Sequence, residues 1–220
     1  ARFTWLSRQL TLPNLSLEHC LEFKKFIQKV PVDSISLVYS SENLTQPSSM
    51  MGHILLKLSG PNAQGVETSH GVSYFTELNS LNVPKIIFDS LVTGKKGYFA
   101  LTPYEDKLKF YLKEEQRNVW EYELAFSTQI RTLIQHHIWE LKHANLRYFF
   151  HGYNCATLTQ FIISIGAPAL INSENFWVTP IDVVKSVHQE KVISRTTVLP
   201  SSKWNIHMLS QVFEEESIAN

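Results

Sequence analysis

Apolar and polar side chains alternate along Ser34-Ile35-Ser36-Leu37-Val38-Tyr39, the period of a half-buried strand. His53-Ile54-Leu55-Leu56-Lys57-Leu58 predicts a second strand and Ser69 to Thr76 a third, with a turn at Gly60-Pro61-Asn62 between them. The three read as an antiparallel meander. Ahead of them, Leu17, Leu21, Phe26 and Ile27 share one stripe and predict a packing helix opened at Ser16 and closed by Pro31. Ser41 to Ser49 is a polar loop, and Leu78 to Tyr111 carries a weaker pattern, with Gly94-Lys95-Lys96-Gly97 as a turn and Pro103 near a helix start. From Asn118 to Phe126 the residues Trp120, Tyr122, Leu124 and Phe126 alternate with Glu121 and Glu123, giving a strand with one wet face. Ser127 then caps a helix with the apolar stripe Ile130, Leu133, Ile134, His137, Ile138 and Leu141. Ala156 to Ile165 predicts an apolar helix ended by Gly166 and Pro168, which puts Cys155 in or just before its first turn.

This order of elements predicts the α+β class, an antiparallel sheet packed against helices, in a single domain over 1–220 with no internal repeat or low-complexity tract to divide it. Hydrophobic residues make up 44% of the chain, enough for one core. Lys+Arg and Asp+Glu number 20 each, so the chain as a whole lacks the field that draws nucleic acid, and no nucleic-acid partner is expected. No apolar run approaches the roughly 20 residues of a membrane helix. The sequence opens at Ala1 and reads as a processed chain or an excised piece, whose missing flanks are where a signal or membrane anchor is expected.

Cys20 and Cys155 are the only cysteines. A cysteine at a helix N-terminus feels unpaired N–H groups and the positive end of the helix dipole, both of which favour the thiolate. That predicts faster alkylation at Cys155 than at Cys20. The competing reading of Cys155 is a small buried hydrophobe, against which stands the polar entry Gly152-Tyr153-Asn154. Nine histidines offer a base. His136, His137 and His143 lie on or near one helix with no cysteine or carboxylate cluster at metal spacing, so neither a metal nor an organic cofactor is expected. His53 opens a strand directly after Met51-Gly52, in an otherwise apolar segment, and fits a catalytic base or a satisfied core histidine equally.

Leu37-Val38-Tyr39-Ser40, Pro47 through Gly52-His53, Glu115 through Tyr122, Trp139-Glu140-Leu141 and Tyr148-Phe149-Phe150 through Asn154-Cys155 together resemble one family, in order and over about Arg2 to Pro200. It is the family named for the N-terminal periplasmic domain of the Bacteroidota lipoprotein N-acyltransferase, and the proteobacterial branch is the more similar. The resemblance implies a permuted, NlpC-type papain-like fold in which the histidine strand precedes the cysteine helix. The family's Gly-His falls on Gly52-His53 and its Asn-Cys on Asn154-Cys155. Where that branch usually has an asparagine on the strand after the histidine, this chain has Ser73, three residues beyond His70. The orienting third member is therefore Ser73 or a shifted His70, which face opposite sides of a regular strand. Tyr153 stands where relatives often carry an acidic residue. A Cys-x-x-Pro stretch usually precedes Ala1-Arg2 in relatives, so a partner for Cys20 is expected in the missing flank.

The expected activity is an exported thiol acyltransferase or hydrolase. Cys155 is its nucleophile and His53 its base, and amides at the start of the cysteine helix form the oxyanion site, helped by Asn154 or Tyr153. By resemblance the substrates are phospholipid or lipoprotein acyl groups, at a periplasmic or outer-membrane-associated location. A cell-wall amidase or peptidase acting on peptidoglycan peptides, and a non-catalytic envelope binding module, are the rival readings. An apolar groove beside Cys155 favours lipid, and a polar open cleft favours peptide.

Overall fold

The computed structural model describes residues 6–7, 9–10, 20–43, 51–76, 85, 88–142, 144–172 and 177–218, the side chains of 90, 172 and 212–218 excepted. Helix α1 (Leu21–Lys29) leads into β1 (Ser34–Ser40), β2 (His53–Pro61) and β3 (Glu67–Thr76). A short π-turn (Asp89–Thr93) precedes β4 (Lys95–Pro103). The helix α2 (Tyr104–Lys109), with a further π-turn (Phe110–Glu114), then connects to β5 (Val119–Leu124). Helix α3 (Thr128–Leu141), the two-residue β6 (Arg147–Tyr148) and α4 (Cys155–Ile163) follow, then a 3-10 turn (Pro168–Asn172), α5 (Pro180–Gln189), β7 (Ile193–Leu199) and α6 (Ser202–Ile218). The seven strands form one sheet in the order β6-β4-β3-β2-β1-β5-β7, every pairing antiparallel.

The alternation in β1 and β2 assigns the two faces. Ile35, Leu37 and Tyr39 on β1 and Ile54, Leu56 and Leu58 on β2 enter the main core, where Ile134 and Ile138 of α3, Ala156, Ile162 and Ile163 of α4 and Val183, Val184 and Val187 of α5 cover them. The opposite face carries a smaller cluster of Val38, Leu55, Tyr104, Tyr111 and Val119. Polar groups are built into that second face. The Tyr104 hydroxyl donates to Glu121 Oε1 at 2.5 Å, Lys57 Nζ reaches Glu121 Oε2 at 2.8 Å, and the Lys57 ammonium sits 4.6 Å from the centre of the Tyr104 ring. The strand around Glu121 is thus less wet than its alternation predicts.

The structure corrects several expectations. Gly60 and Pro61 lie within β2, and the turn is made one step later, where Asn62 Oδ1 accepts the amides of Gln64 and Val66. Gly94 to Gly97 is no turn: Gly94 precedes β4 and Gly97 lies inside it. Gly97 is there for space, since a Cβ would come within 2.1 Å of the Tyr74 hydroxyl. The predicted first helix is described from Leu21 on, its opening over 11–19 lying outside the described residues, as does most of the predicted loop over 41–49. Helix α5 has its own signal, Thr179-Pro180-Ile181-Asp182, a capping box with proline at the first helical position.

Candidate active site

The start of α4 is fixed by Asn154. Its side-chain oxygen accepts the amides of Ala156 at 2.8 Å and Thr157 at 3.0 Å, and its side-chain nitrogen donates to the carbonyls of Phe150 at 2.9 Å and Val178 at 3.1 Å. Thr157 closes the box by accepting the Asn154 amide at 2.8 Å. Both donors of the Asn154 side chain are spent on carbonyls, so this side chain is a cap and has no hydrogen to give an oxyanion. The expectation that it lines an oxyanion site is corrected accordingly. The amides of Ala156 and Thr157 are likewise engaged, and the Cys155 N–H faces its own sulfur and the Tyr148 hydroxyl. Tyr153 is 63% exposed and contributes to the wall of a groove, described below.

Cys155 is the first residue of α4 and only 6% exposed. Its thiol receives hydrogen bonds from the backbone of Ile54, the backbone of Ala156 and the Tyr148 hydroxyl. Each of these favours the thiolate, yet burial outweighs them and pushes the thiol above its ordinary range. A helix N-terminus alone therefore does not make this cysteine ionised at rest, contrary to the expectation from sequence. Tyr148 is itself buried, and burial raises its hydroxyl far above the usual tyrosine value, so it stays a donor.

The Ile54 contact brings the thiol to the first residues of β2. The β2–β3 ladder begins only at Leu56 and Val72, so it does not occupy the Ile54 amide, and the thiol takes it. His53 immediately precedes that amide. It is placed by Gly52, whose φ of +79° and whose approach to Tyr39 and the Ser40 carbonyl leave no room for a Cβ, which would sit 2.8 and 2.9 Å from them. The His53 ring lies 6.3 Å from the Tyr111 ring, on the smaller-cluster side of the sheet. Burial, then the Arg117 guanidinium and the Lys107 ammonium, lower its pKa to about 3, so the imidazole is neutral at physiological pH.

The two candidates for third member part company. Ser73 shares the parity of Gly71, above which Leu55, Tyr104 and Lys107 lie, so it stands on the His53 side of the sheet. Its hydroxyl is buried without a hydrogen-bond partner, so it does not hold the His53 ring in this arrangement. His70 pairs with Leu58, five residues along β2 from His53, which at about 3.3 Å per residue is roughly 16 Å away. It has the opposite parity, and the charge that acts on it is Lys29. The shifted-histidine expectation therefore fails on distance and on face.

Arg117 escaped the sequence reading as a functional residue. It is 2% exposed, donates to the carbonyls of Ser40 and Ser41, pairs with Glu115 at 2.8 Å, and lies 5.2 Å from the centre of the Tyr111 ring. It thereby joins the end of β1 to the ring that faces His53. The signal was present in the motif Glu115-Gln116-Arg117, where a buried arginine two residues from an acid points to a pair. Among the described residues no group of three metal-ligating side chains is placed to hold an ion.

A groove of about 390 Å³ runs beside α4, walled by Leu158 and Phe161 of that helix, Leu141 of α3, and Tyr74, Phe149 and Tyr153. Its volume lies at the small end of ligand pockets, about 300–1,000 Å³. Tyr74 connects it to the thiol, because its ring packs 5.3 Å from that of Tyr148, whose hydroxyl meets Cys155.

Residues 22–190 match the family model described as the Lnb N-terminal periplasmic domain. The chain belongs to this family. The match spans α1 to α5 and so takes in Gly52-His53, Arg117, Tyr148 and Asn154-Cys155. The Lnb N-terminal domain is periplasmic, and among the described residues no helix is long and apolar enough to cross a membrane. No curated protein matches the chain, and no solved structure does.

Proposed function

We propose that this periplasmic domain is a thiol acyltransferase or hydrolase of lipid acyl groups, built as a permuted papain-like fold with Cys155 as nucleophile and His53 as base. The observation that carries the reading is the meeting of a capped helix start with the histidine end of β2. The Cys155 thiol takes the amide next to His53 and the Tyr148 hydroxyl at once. Both members are neutral at rest, so ionisation belongs to the reaction step, when a docked carbonyl draws the sulfur forward. His53 takes the thiol proton, the sulfur bonds to the acyl carbon, and the ester C–O bond breaks. The proton then passes to the departing alcohol oxygen. The cations Arg117 and Lys107 disfavour a lasting imidazolium and so favour that second transfer. The Cys155 N–H and the Tyr148 O–H hold the sulfur at rest, and become the donors for the oxyanion once the sulfur has moved onto the acyl carbon.

The apolar groove favours lipid over peptidoglycan peptide, since a peptide would leave its amides without partners against Leu141, Leu158 and Phe161. Incubation with phospholipid vesicles followed by intact-mass measurement is the test. An added acyl group, released by hydroxylamine and missing in Cys155→Ala, is the expected result. Lack of an adduct together with lack of released lysophospholipid, or an adduct that persists in Cys155→Ala, rejects the thiol mechanism.

A further inference from the structure

The segment just before β4 exposes apolar side chains that nothing in the described structure covers. Phe88, Leu91 and Val92 are 55%, 43% and 61% exposed. Their i, i+3, i+4 spacing places them together on one side of a helical turn. Two contacts tie this turn to the mouth of the groove. Arg147 donates to the Thr93 carbonyl at 2.8 Å, and Gly94 lies so close to Phe149 that a Cβ would meet its ring at 2.5 Å. Arg147, Phe149, Tyr153 and Phe161 all line the groove, and the last two are largely exposed.

Cations border these apolar groups. Lys95 and Lys96 pair with Tyr148 and Arg147 across the β4–β6 ladder, which sets Lys96 beside Arg147 on one face and Lys95 on the other, at the same corner of the sheet. Among the described residues none of the three has a carboxylate within ion-pair distance, and Lys96 rests over the Tyr98 ring at 5.2 Å. The chain as a whole carries as many acidic as basic residues, so attraction to a negative surface has to come from a local patch such as this one. Apolar side chains at a tip with cations behind them match the layering of a lipid surface, where acyl chains lie beneath anionic headgroups.

We propose that Phe88, Leu91 and Val92, with Lys95, Lys96 and Arg147 behind them, dock the domain directly on an anionic lipid surface, so that the groove opens toward the bilayer. Contact with the membrane then resides in the folded domain itself. The proposal does not depend on the thiol, and it is tested in wild type and in Cys155→Ala.

The experiment is flotation with vesicles of phosphatidylcholine alone and of phosphatidylcholine doped with phosphatidylglycerol. Both proteins are expected to bind the doped vesicles preferentially, in a manner weakened by salt. Lys95→Glu/Lys96→Glu should lower that binding at least about tenfold. The exposed apolar residues of α6 provide the control, so Ile206→Ser/Leu209→Ser should bind as wild type. In Leu91→Trp the new indole should shift its emission to the blue on doped vesicles, reporting burial of that position. Equal binding to the two vesicle types, undiminished binding of the double charge reversal, loss of binding in the α6 variant, or an unshifted indole emission from Leu91→Trp would each overturn the proposal. Circular dichroism on each variant excludes unfolding as the cause of lost binding.

Discussion

The two faces of the sheet are built on different chemistry, although the same strands supply both. The main face is closed by apolar side chains from four helices, and Cys155 arrives there among Ile54, Ala156 and Ile162. The smaller face buries tyrosines with charged partners, Tyr104 with Glu121 and Lys57, and Tyr111 with Arg117. His53 belongs to this second face. The end of β2 is where the faces meet, because the ladder to β3 has stopped and an amide is free to reach the thiol. A dry face can bury a sulfur without ionising it, and a polar face can hold a neutral imidazole beside two cations.

The sharpest way to break this comparison is to remove the group each face contributes. Cys155→Ala should abolish acyl adduct formation entirely. His53→Ala should slow it by about 10²–10⁴-fold, the usual span for loss of a general base, with mass spectrometry over time as the readout. If His53→Ala acylates at the wild-type rate, the second face has no part in the chemistry.

Stability should separate the faces next. Leu56→Ala opens a cavity in the main core and should cost about 2–5 kcal/mol. Tyr104→Phe, on the smaller face, removes one hydrogen bond while Lys57 still pairs with Glu121, and should cost about 1–2 kcal/mol. Urea unfolding measures both, and a reversed order would mean that the polar cluster holds the sheet together more than its apolar side does.

Acid should act through the smaller face. In the unfolded chain His53 takes a proton near pH 6.5, whereas in the folded protein it does so only near pH 3. Between those values the unfolded state holds the extra proton, so stability is full above about 6.5 and falls as the pH drops, by up to about 1.4 kcal/mol per unit from this group. His70 and His136 are also lowered by burial and contribute in the same direction. His53→Gln should therefore flatten the stability profile across that window without levelling it. An unchanged slope would place the His53 ring in solvent.

The smallest effect concerns the two cysteines. Cys20 is exposed and Cys155 is buried with a raised thiol pKa, so iodoacetamide at neutral pH should modify Cys20 first, by about tenfold or more. Peptide mapping after brief exposure decides it. Faster labelling at Cys155 would mean that the site opens in solution more than this arrangement suggests.

Strands β1, β2, β3 and β5 and the starts of α3 and α4 were legible because each is written in local pattern, whereas the pairing of Cys155 with His53 was suggested only by the family resemblance. Alternation marked β1 and β2, Ser127 marked α3, and the polar entry Tyr153-Asn154 marked the start of α4. Strand β4 was not legible, since Lys95-Lys96-Gly97 has the composition of a turn and only the Tyr74 ring beneath it explains the glycine. The role of Asn154 was misread for a related reason: the Val178 carbonyl that takes one of its hydrogens lies 24 residues away. The ionisation of Cys155 was misjudged because a dipole is a property of its own helix, whereas the burial that opposes it comes from the whole sheet. The choice between Ser73 and His70 needed a register, and spacing alone carries none.

Gly97 also sets what an engineer could do with the groove. Tyr74 is held by the missing side chain at position 97 and forms the wall between the cavity and Tyr148. A methyl group added there would push that ring aside, changing the bore of the groove and the packing behind Tyr148. The same ring packs on Tyr148, whose hydroxyl meets Cys155, so the width of the groove and the setting of the thiol are coupled through a position on β4.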